Sequence, residues 1–149
     1  MKPGFRPNVV AVIQNSEGLI LVGRGPKQNR GTWQCPQGGI KRGETPEEAL
    51  HREIEEEIGV EDLRILKQSF GEICYEWPLE VLNKKKNNYI GQVQIYFLLA
   101  APKNLFKQLK KTKDFHDYKW ALPGDVVKMV VHFKQSAYEQ GLGELGLLL

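Results

Sequence analysis

The stretch GGIKRGETPEEALHREIEEEIGV, Gly38 to Val60, carries the strongest local signals in this chain. Thr45 is a suitable N-cap, Pro46 suits the first helical position, and Glu48 stands three residues after Thr45 as a capping-box partner. Leu50, Ile54 and Ile58 recur every fourth residue on one face, and Gly59 supplies a stop. The pattern predicts a helix from Pro46 to Ile58.

Glu53, Glu56 and Glu57 occupy positions i, i+3 and i+4 of that helix, so their side chains are expected to converge in one sector of its surface and to meet there. Like charges at these spacings cost a few tenths of a kcal/mol per pair, roughly, and Arg52 alone cannot neutralise three. A divalent cation can. Oxygen donors without a neighbouring His or Cys favour a hard ion, Mg²⁺ or in its place Mn²⁺. The plain alternative is a solvated Glu-rich face. These acids, however, flank the apolar stripe, whereas a purely solvated cluster belongs opposite it.

Outside this stretch the chain reads as an ordinary globular protein. Its 149 residues, 41% hydrophobic and 26% charged, suffice for one core, and a single domain over residues 1–149 is expected. The net charge of +3 conceals a separation: eight acids face one base between Glu44 and Glu61, and the remainder holds twenty bases and ten acids. An acidic strip in a basic protein suits a polyanion held through both metal ions and basic side chains. No apolar run has the length of a signal peptide or a membrane span, so no membrane association is expected. Cys35 and Cys74 have no metal-type or disulfide-framework spacing, which predicts reduced thiols and a cytoplasmic setting. Lys84, Lys85 and Lys86 read as a solvated loop that could also touch an RNA backbone.

Strands are expected at Asn8–Ile13 and Leu19–Gly23, joined by a short turn, with a short strand around Thr32–Cys35 inside a long basic connection. More strands are expected near Arg64–Phe70, Ile73–Trp77, Ile90–Ala100 and Tyr118–Leu122, followed by one terminal helix from Val126 to Gln140. The Leu-rich end, Gly143 to Leu149, has no readable role.

Gly38 to Val60 resembles a complete Nudix box: Gly, five residues, Glu, seven residues, then Arg-Glu-apolar-any-Glu-Glu-any-Gly-apolar. Gly38, Glu44, Arg52, Glu53, Ile54, Glu56, Glu57, Gly59 and Val60 meet every fixed position. Average residue usage gives such a match roughly once in a billion starting positions, which separates it from a lone glycine-rich loop. The resemblance implies an α/β fold, a Nudix-type α/β/α sandwich with a mixed β-sheet and a loop-helix-loop catalytic motif. It further implies a metal-dependent hydrolase that cuts a nucleotide phosphoanhydride. Glu53, Glu56 and Glu57 would be metal ligands, with Glu53 the first choice for the general base and Glu57 the second. Arg52 and Glu44 would orient them, and a backbone carbonyl of Gln37-Gly38 would complete a coordination sphere.

Further pieces resemble the bacterial RNA pyrophosphohydrolase and dinucleoside polyphosphate hydrolase branch: Phe5-Arg6-Pro7-Asn8-Val9, Trp33-Gln34, Pro36 to Ile40, Ile90-Gly91-Gln92 with Gln94, and Phe133-Lys134 with Tyr138. By this resemblance Arg6 and Lys134 contact 5′ phosphates, Phe133 stacks on a base, and Gln92 and Thr32 line the same cleft. A core Phe and solvated basic residues are the plain alternatives. Arg24, Lys27 and Arg30 share the basic loop, but its extra length relative to the branch admits only Arg24 to the site. Asp114 stands where the branch has a Glu and becomes the fourth metal ligand, with Asp117 as the alternative and His116 an ordinary loop histidine. The implied substrate is a 5′-triphosphorylated RNA end, converted to a monophosphate. Diadenosine tetraphosphate and nucleoside triphosphates offer the same anhydride, and a non-catalytic nucleotide-binding domain is the alternative of another class.

Overall fold

The computed structural model describes residues 2–26 and 31–149. Its strands are β1 (Phe5–Gln14), β2 (Ile20–Arg24), β3 (Gln37–Gly39), β4 (Ile65–Gln68), β5 (Ile73–Glu76), β6 (Gly91–Ala100) and β7 (Asp117–Ala121). The helices are α1 (Pro46–Ile58), α2 (Leu79–Leu82), α3 (Leu105–Gln108), α4 (Pro123–Met129) and α5 (Gln135–Glu144), with a 3₁₀ turn at His132–Lys134. All the strands join one sheet in the order β4-β6-β1-β2-β7, with β3 added to β1 and β5 to β6.

β1 and β6 run parallel from the pair Phe5 and Gly91 to the pair Gln14 and Ala100; the other pairings are antiparallel. Successive side chains of β1 enter different cores, as the two-residue period of a strand requires. Val9, Ala11 and Ile13 join the Leu50, Ile54 and Ile58 stripe of α1, whereas Val10 and Val12 join Tyr138 and Leu142 of α5. A strand buried on both faces reads as a continuous apolar run, the pattern of Val9 to Ile13. Burying each such side chain contributes about 1.5–3 kcal/mol. Helices thus cover both faces of a mixed sheet, in the α/β/α layering expected.

Helix α1 has the bounds predicted. Thr45 Oγ1 accepts from the Glu48 N–H at 3.1 Å, and Glu48 Oε1 accepts from the Thr45 N–H at 2.9 Å. Gly59 closes the helix at φ 76°, its N–H donating to the Glu55 carbonyl at 2.9 Å. Two other expectations need correction. The strand near Thr32–Cys35 is only an isolated bridge between Gly23 and Gln34, and regular pairing begins at Gln37. The terminal helix is also two helices, because Val130 is extended at ψ 159° while the Met129 carbonyl accepts from the Trp33 N–H at 2.9 Å. The Leu-rich end acquires a role: Leu142 and Leu145 are buried, and Leu147 and Leu148 pack against them. Both cysteines are free, and burial raises the Cys35 thiol to about 12. Among the described residues no helix is long and apolar enough to cross a membrane.

Candidate active site

Strand β3 runs beside α1, and the Gln37 backbone N–H donates to Glu57 Oε1 at 2.7 Å. A chain of side chains fixes that strand from behind. Tyr96 Oη donates to Gln94 Oε1 at 2.9 Å, Gln94 Nε2 to Asn8 Oδ1 at 2.9 Å, and Asn8 Nδ2 to Gln37 Oε1 at 2.8 Å. Asn8 and Gln94 are buried, so each requires a partner. Leaving one unpaired would cost about 1–3 kcal/mol.

The carboxylates then divide by environment. Arg52 grips Glu44 with two donors, Nε to Oε2 at 2.7 Å and Nη2 to Oε1 at 2.9 Å, while Nη2 also reaches the Gly39 carbonyl at 2.8 Å. That bond and the Lys41 N–H pull Glu44 down to about 2. Glu53 lies 2.6 Å from Arg52 Nη1, yet burial outweighs the guanidinium and raises its pKa. Glu57 is only 6% exposed. Burial first, opposed by the Gln37 N–H and then reinforced by the charges of Asp114 and Glu53, pushes it to about 8. Glu56 is half exposed and 3.4 Å from Arg52.

The three acids therefore share a helix face without meeting at one point, and no closed set of three acidic, His or Cys metal ligands is present among the described residues. Arg52 bonds Glu53 and Glu56, and the Gln37 N–H bonds Glu57. Helical spacing sets a common sector; these partners set the side-chain directions.

The C-terminal end of α1 places the fourth acid. Its last carbonyls lack helical donors. Thr112 Oγ1 donates to the Glu57 carbonyl at 2.7 Å, and the Lys110 N–H donates to that of Ile58 at 3.0 Å. The Asp114 N–H donates to Thr112 Oγ1 at 3.2 Å, holding Asp114 where its charge acts on Glu57. Asp117 is instead paired with Arg24 at 3.3 Å. His116 is exposed and donates its backbone N–H to the Arg24 carbonyl at 2.8 Å.

Gly38 and Gly39 let two charged side chains approach the same strand. A Cβ on Gly38 would overlap the Glu53 carboxylate, and one on Gly39 would overlap the Arg6 guanidinium. Arg6 pairs across the sheet with Gln92, whose Oε1 accepts from Tyr75 Oη at 2.5 Å. Above this floor the Phe133 ring lies 5.9 Å from that of Tyr75 and 5.5 Å from His132. Lys134 Nζ is 6.0 Å from the Tyr75 ring and 3.4 Å from Gln34 Oε1, and burial lowers its pKa to about 8. Arg6, Gln92, Phe133 and Lys134 are thus gathered around Tyr75. Arg24 is engaged on the β2–β7 pair, with its guanidinium 4.4 Å from the Trp33 ring. Thr32 is partly buried beside that ring. Lys27 and Arg30 lie outside the described residues.

A family model for the NUDIX domain matches residues 4–140. The chain belongs to the Nudix family. A protein of Hydrogenovibrio crunogenus named RNA pyrophosphohydrolase is 37% identical over 148 residues, covering 95% of this chain and 88% of that one. A protein of Alkalilimnicola ehrlichii with the same name is 38% identical over 152 residues, covering 98% and 83%. The E. coli dihydroneopterin triphosphate pyrophosphohydrolase has a similar structure, with a TM-score of 0.71 and 19% identity, covering 91% of this chain and 95% of that one. This last likeness concerns the fold. Nudix proteins generally use a divalent metal.

Asn8 and Gln94 are polar residues in apolar strands, a signal that the pieces quoted for the resemblance already contain. Tyr75 and Thr112 escape a reading by motif, because their bonds to Gln92 and to the Glu57 carbonyl span 17 and 55 residues.

Proposed function

We propose that this Nudix chain is an RNA 5′ pyrophosphohydrolase that removes pyrophosphate from a triphosphorylated end and leaves a 5′-monophosphate. The observation that carries the reading is the junction of a carboxylate edge, Glu53, Glu57 and Asp114, with a cleft formed by Arg6, Gln92, Phe133 and Lys134. Similarity to the two proteins named RNA pyrophosphohydrolase over nearly the whole chain supports RNA as the substrate.

The donor chemistry suits a hard divalent ion, since every candidate ligand is oxygen, although among the described residues the side chains are not gathered into a closed site. Burial raises both Glu53 and Glu57, with Glu56 adding to the first and Asp114 and Glu53 to the second. Glu53, Glu56, Glu57 and Asp114, with a Gln37-Gly38 carbonyl, would hold Mg²⁺, and Mn²⁺ would substitute. When present, the ion supplies neutralisation of the phosphate charges and acidifies water in the site.

The remaining work belongs to side chains. Phe133 and Tyr75 hold a base, while Arg6 and Lys134 fix phosphate oxygens. Arg52, itself set by Glu44, positions Glu53. Glu53 is the first choice to take the water proton as the water oxygen bonds to phosphorus and the anhydride oxygen departs with the leaving phosphate; Glu57 is the second. In Mg²⁺, triphosphorylated RNA, diadenosine tetraphosphate and nucleoside triphosphates assayed in parallel test this proposal. RNA 5′-monophosphate and pyrophosphate are expected at the highest kcat/KM. Turnover of the dinucleotide alone would defeat the RNA reading, and binding without turnover would favour a non-catalytic domain.

A further inference from the structure

The connection from β5 to β6 presents Lys84, Lys85 and Lys86 in succession, all exposed. It is ordered by its backbone: the N–H groups of Lys84 and Lys85 donate to the Val81 and Leu82 carbonyls at 3.0 and 3.1 Å, extending α2 by a turn. Its far end is tied to the entry of β1, where the Ile90 N–H donates to the Gly4 carbonyl at 2.9 Å, two residues before Arg6. The Lys85 ammonium lies 4.3 Å from the centroid of buried Trp77. Its charge is felt at Lys134, and the charge of Arg6 is felt at Lys85.

Among the described residues none of these three lysines has an acidic partner, although Glu76 and Glu80 lie exposed on the same part of the chain. Three successive cations that no acid pairs form a field suited to a polyanion. A nucleoside triphosphate would end inside the cleft. An RNA continues beyond it with a further phosphate at each nucleotide.

We infer that Lys84, Lys85 and Lys86 form a track for the RNA backbone downstream of the 5′ end, gripping phosphates irrespective of base. The inference rests on the RNA-end reading and adds a preference for longer chains. A second basic run, Lys103, Lys107, Lys110, Lys111 and Lys113, is equally exposed but belongs to the other side of the sheet. The Lys110 N–H bonds the α1 terminus at 3.0 Å, and Leu105, Leu109 and Trp120 pack in the α1 core. Tyr75, Trp77 and Phe133 belong to the opposite core.

The test compares wild type, the triple variant Lys84→Gln/Lys85→Gln/Lys86→Gln, and the control Lys103→Gln/Lys107→Gln. For each, kcat/KM is measured on triphosphorylated RNAs about two and ten nucleotides long between about 50 and 200 mM salt, where counterion release governs affinity. Wild type is expected to favour the longer RNA at low salt. The triple variant should lose that preference. Its log–log salt slope on the longer RNA should be shallower by about 2, equivalent to a roughly 20-fold smaller decline across that range, at about 0.7 per phosphate contact. The control should retain both preference and slope. An unchanged preference in the triple variant, or an equal loss in the control, would overturn the track and leave the RNA-end reading standing. Absence of wild-type turnover on either RNA, with turnover of diadenosine tetraphosphate, would remove both.

Discussion

Glu44 and Glu57 lie in the same 23-residue motif and have opposite electrostatics. Glu44 accepts two bonds from Arg52 and one from the Lys41 N–H, and is pulled down to about 2. Glu57 is buried with one backbone donor and two acidic neighbours, and is pushed up to about 8. The first carboxylate is a neutralised piece of framework. The second is held in its protonated form well above the usual carboxylate range, because burial and its acidic neighbours oppose the charge. Glu53 stands between them, bonded to Arg52 yet raised by burial. The contrast separates a carboxylate neutralised by its partners from carboxyls whose charge burial opposes, the division on which the proposed roles rest.

The sharpest way to break that division is Glu53→Gln. The amide keeps the side-chain shape and an oxygen for Arg52 but cannot take a proton, so kcat should fall by about 10²–10⁴ with the fold retained. Rates on triphosphorylated RNA together with far-UV circular dichroism test this. Near-normal turnover by the folded variant would move Glu53 into the framework and leave Glu57 as the base.

The adjacent glycines permit a more selective cut. Gly38→Ala drives a methyl group into the Glu53 carboxylate, which Arg52 pins at 2.6 Å. Misplacing that group should lower kcat by about 10². Gly39→Ala meets the end of the flexible Arg6 side chain. Loss of one charge-assisted contact there should raise KM about tenfold or more with kcat largely kept. Steady-state kinetics of the pair distinguish these outcomes, and equal effects on kcat would dissolve the boundary between the carboxylate edge and the cleft.

What could be read from sequence follows the range of the interactions. Helix α1 was legible to the residue because Thr45, Glu48 and Gly59 are local signals. The break at Val130 was not legible, since the competing partner of Met129 is Trp33, far back in the chain. Motif spacing likewise located Glu53, Glu56 and Glu57 on one face. It missed their different partners, which depend on where β3 delivers the Gln37 N–H and on how Asn8 and Gln94 hold that strand. Asp114 is singled out by resemblance alone, and its placement near Glu57 depends on Thr112 capping a carbonyl 55 residues earlier. The substrate cleft was only partly readable because Phe133 serves both as core packing and as a ring facing Tyr75.

A separate expected effect is the dependence of stability on pH in chelator, where Glu44 and Glu57 should act in opposite directions. Glu57 has a folded pKa of about 8 against an ordinary value of 4.5. Below 4.5 both states hold its proton and no penalty arises; between 4.5 and about 8 the unfolded chain releases the proton and the folded chain keeps it, so stability falls as pH rises. The total is a few kcal/mol, at about 1.4 kcal/mol per pH unit. Glu44, lowered from 4.5 to about 2, contributes stability above 4.5 that is lost as pH falls through about 2. Thermal melting of wild type and Glu57→Gln in chelator from about pH 5 to 8 isolates the Glu57 contribution. Wild type should lose Tm across this range, the variant should lose less, and Mg²⁺ at the upper pH should raise the Tm of wild type more than that of the variant. Parallel curves with equal responses to Mg²⁺ would mean that the Glu57 charge is already balanced within the protein, and the distinction from Glu44 would fail.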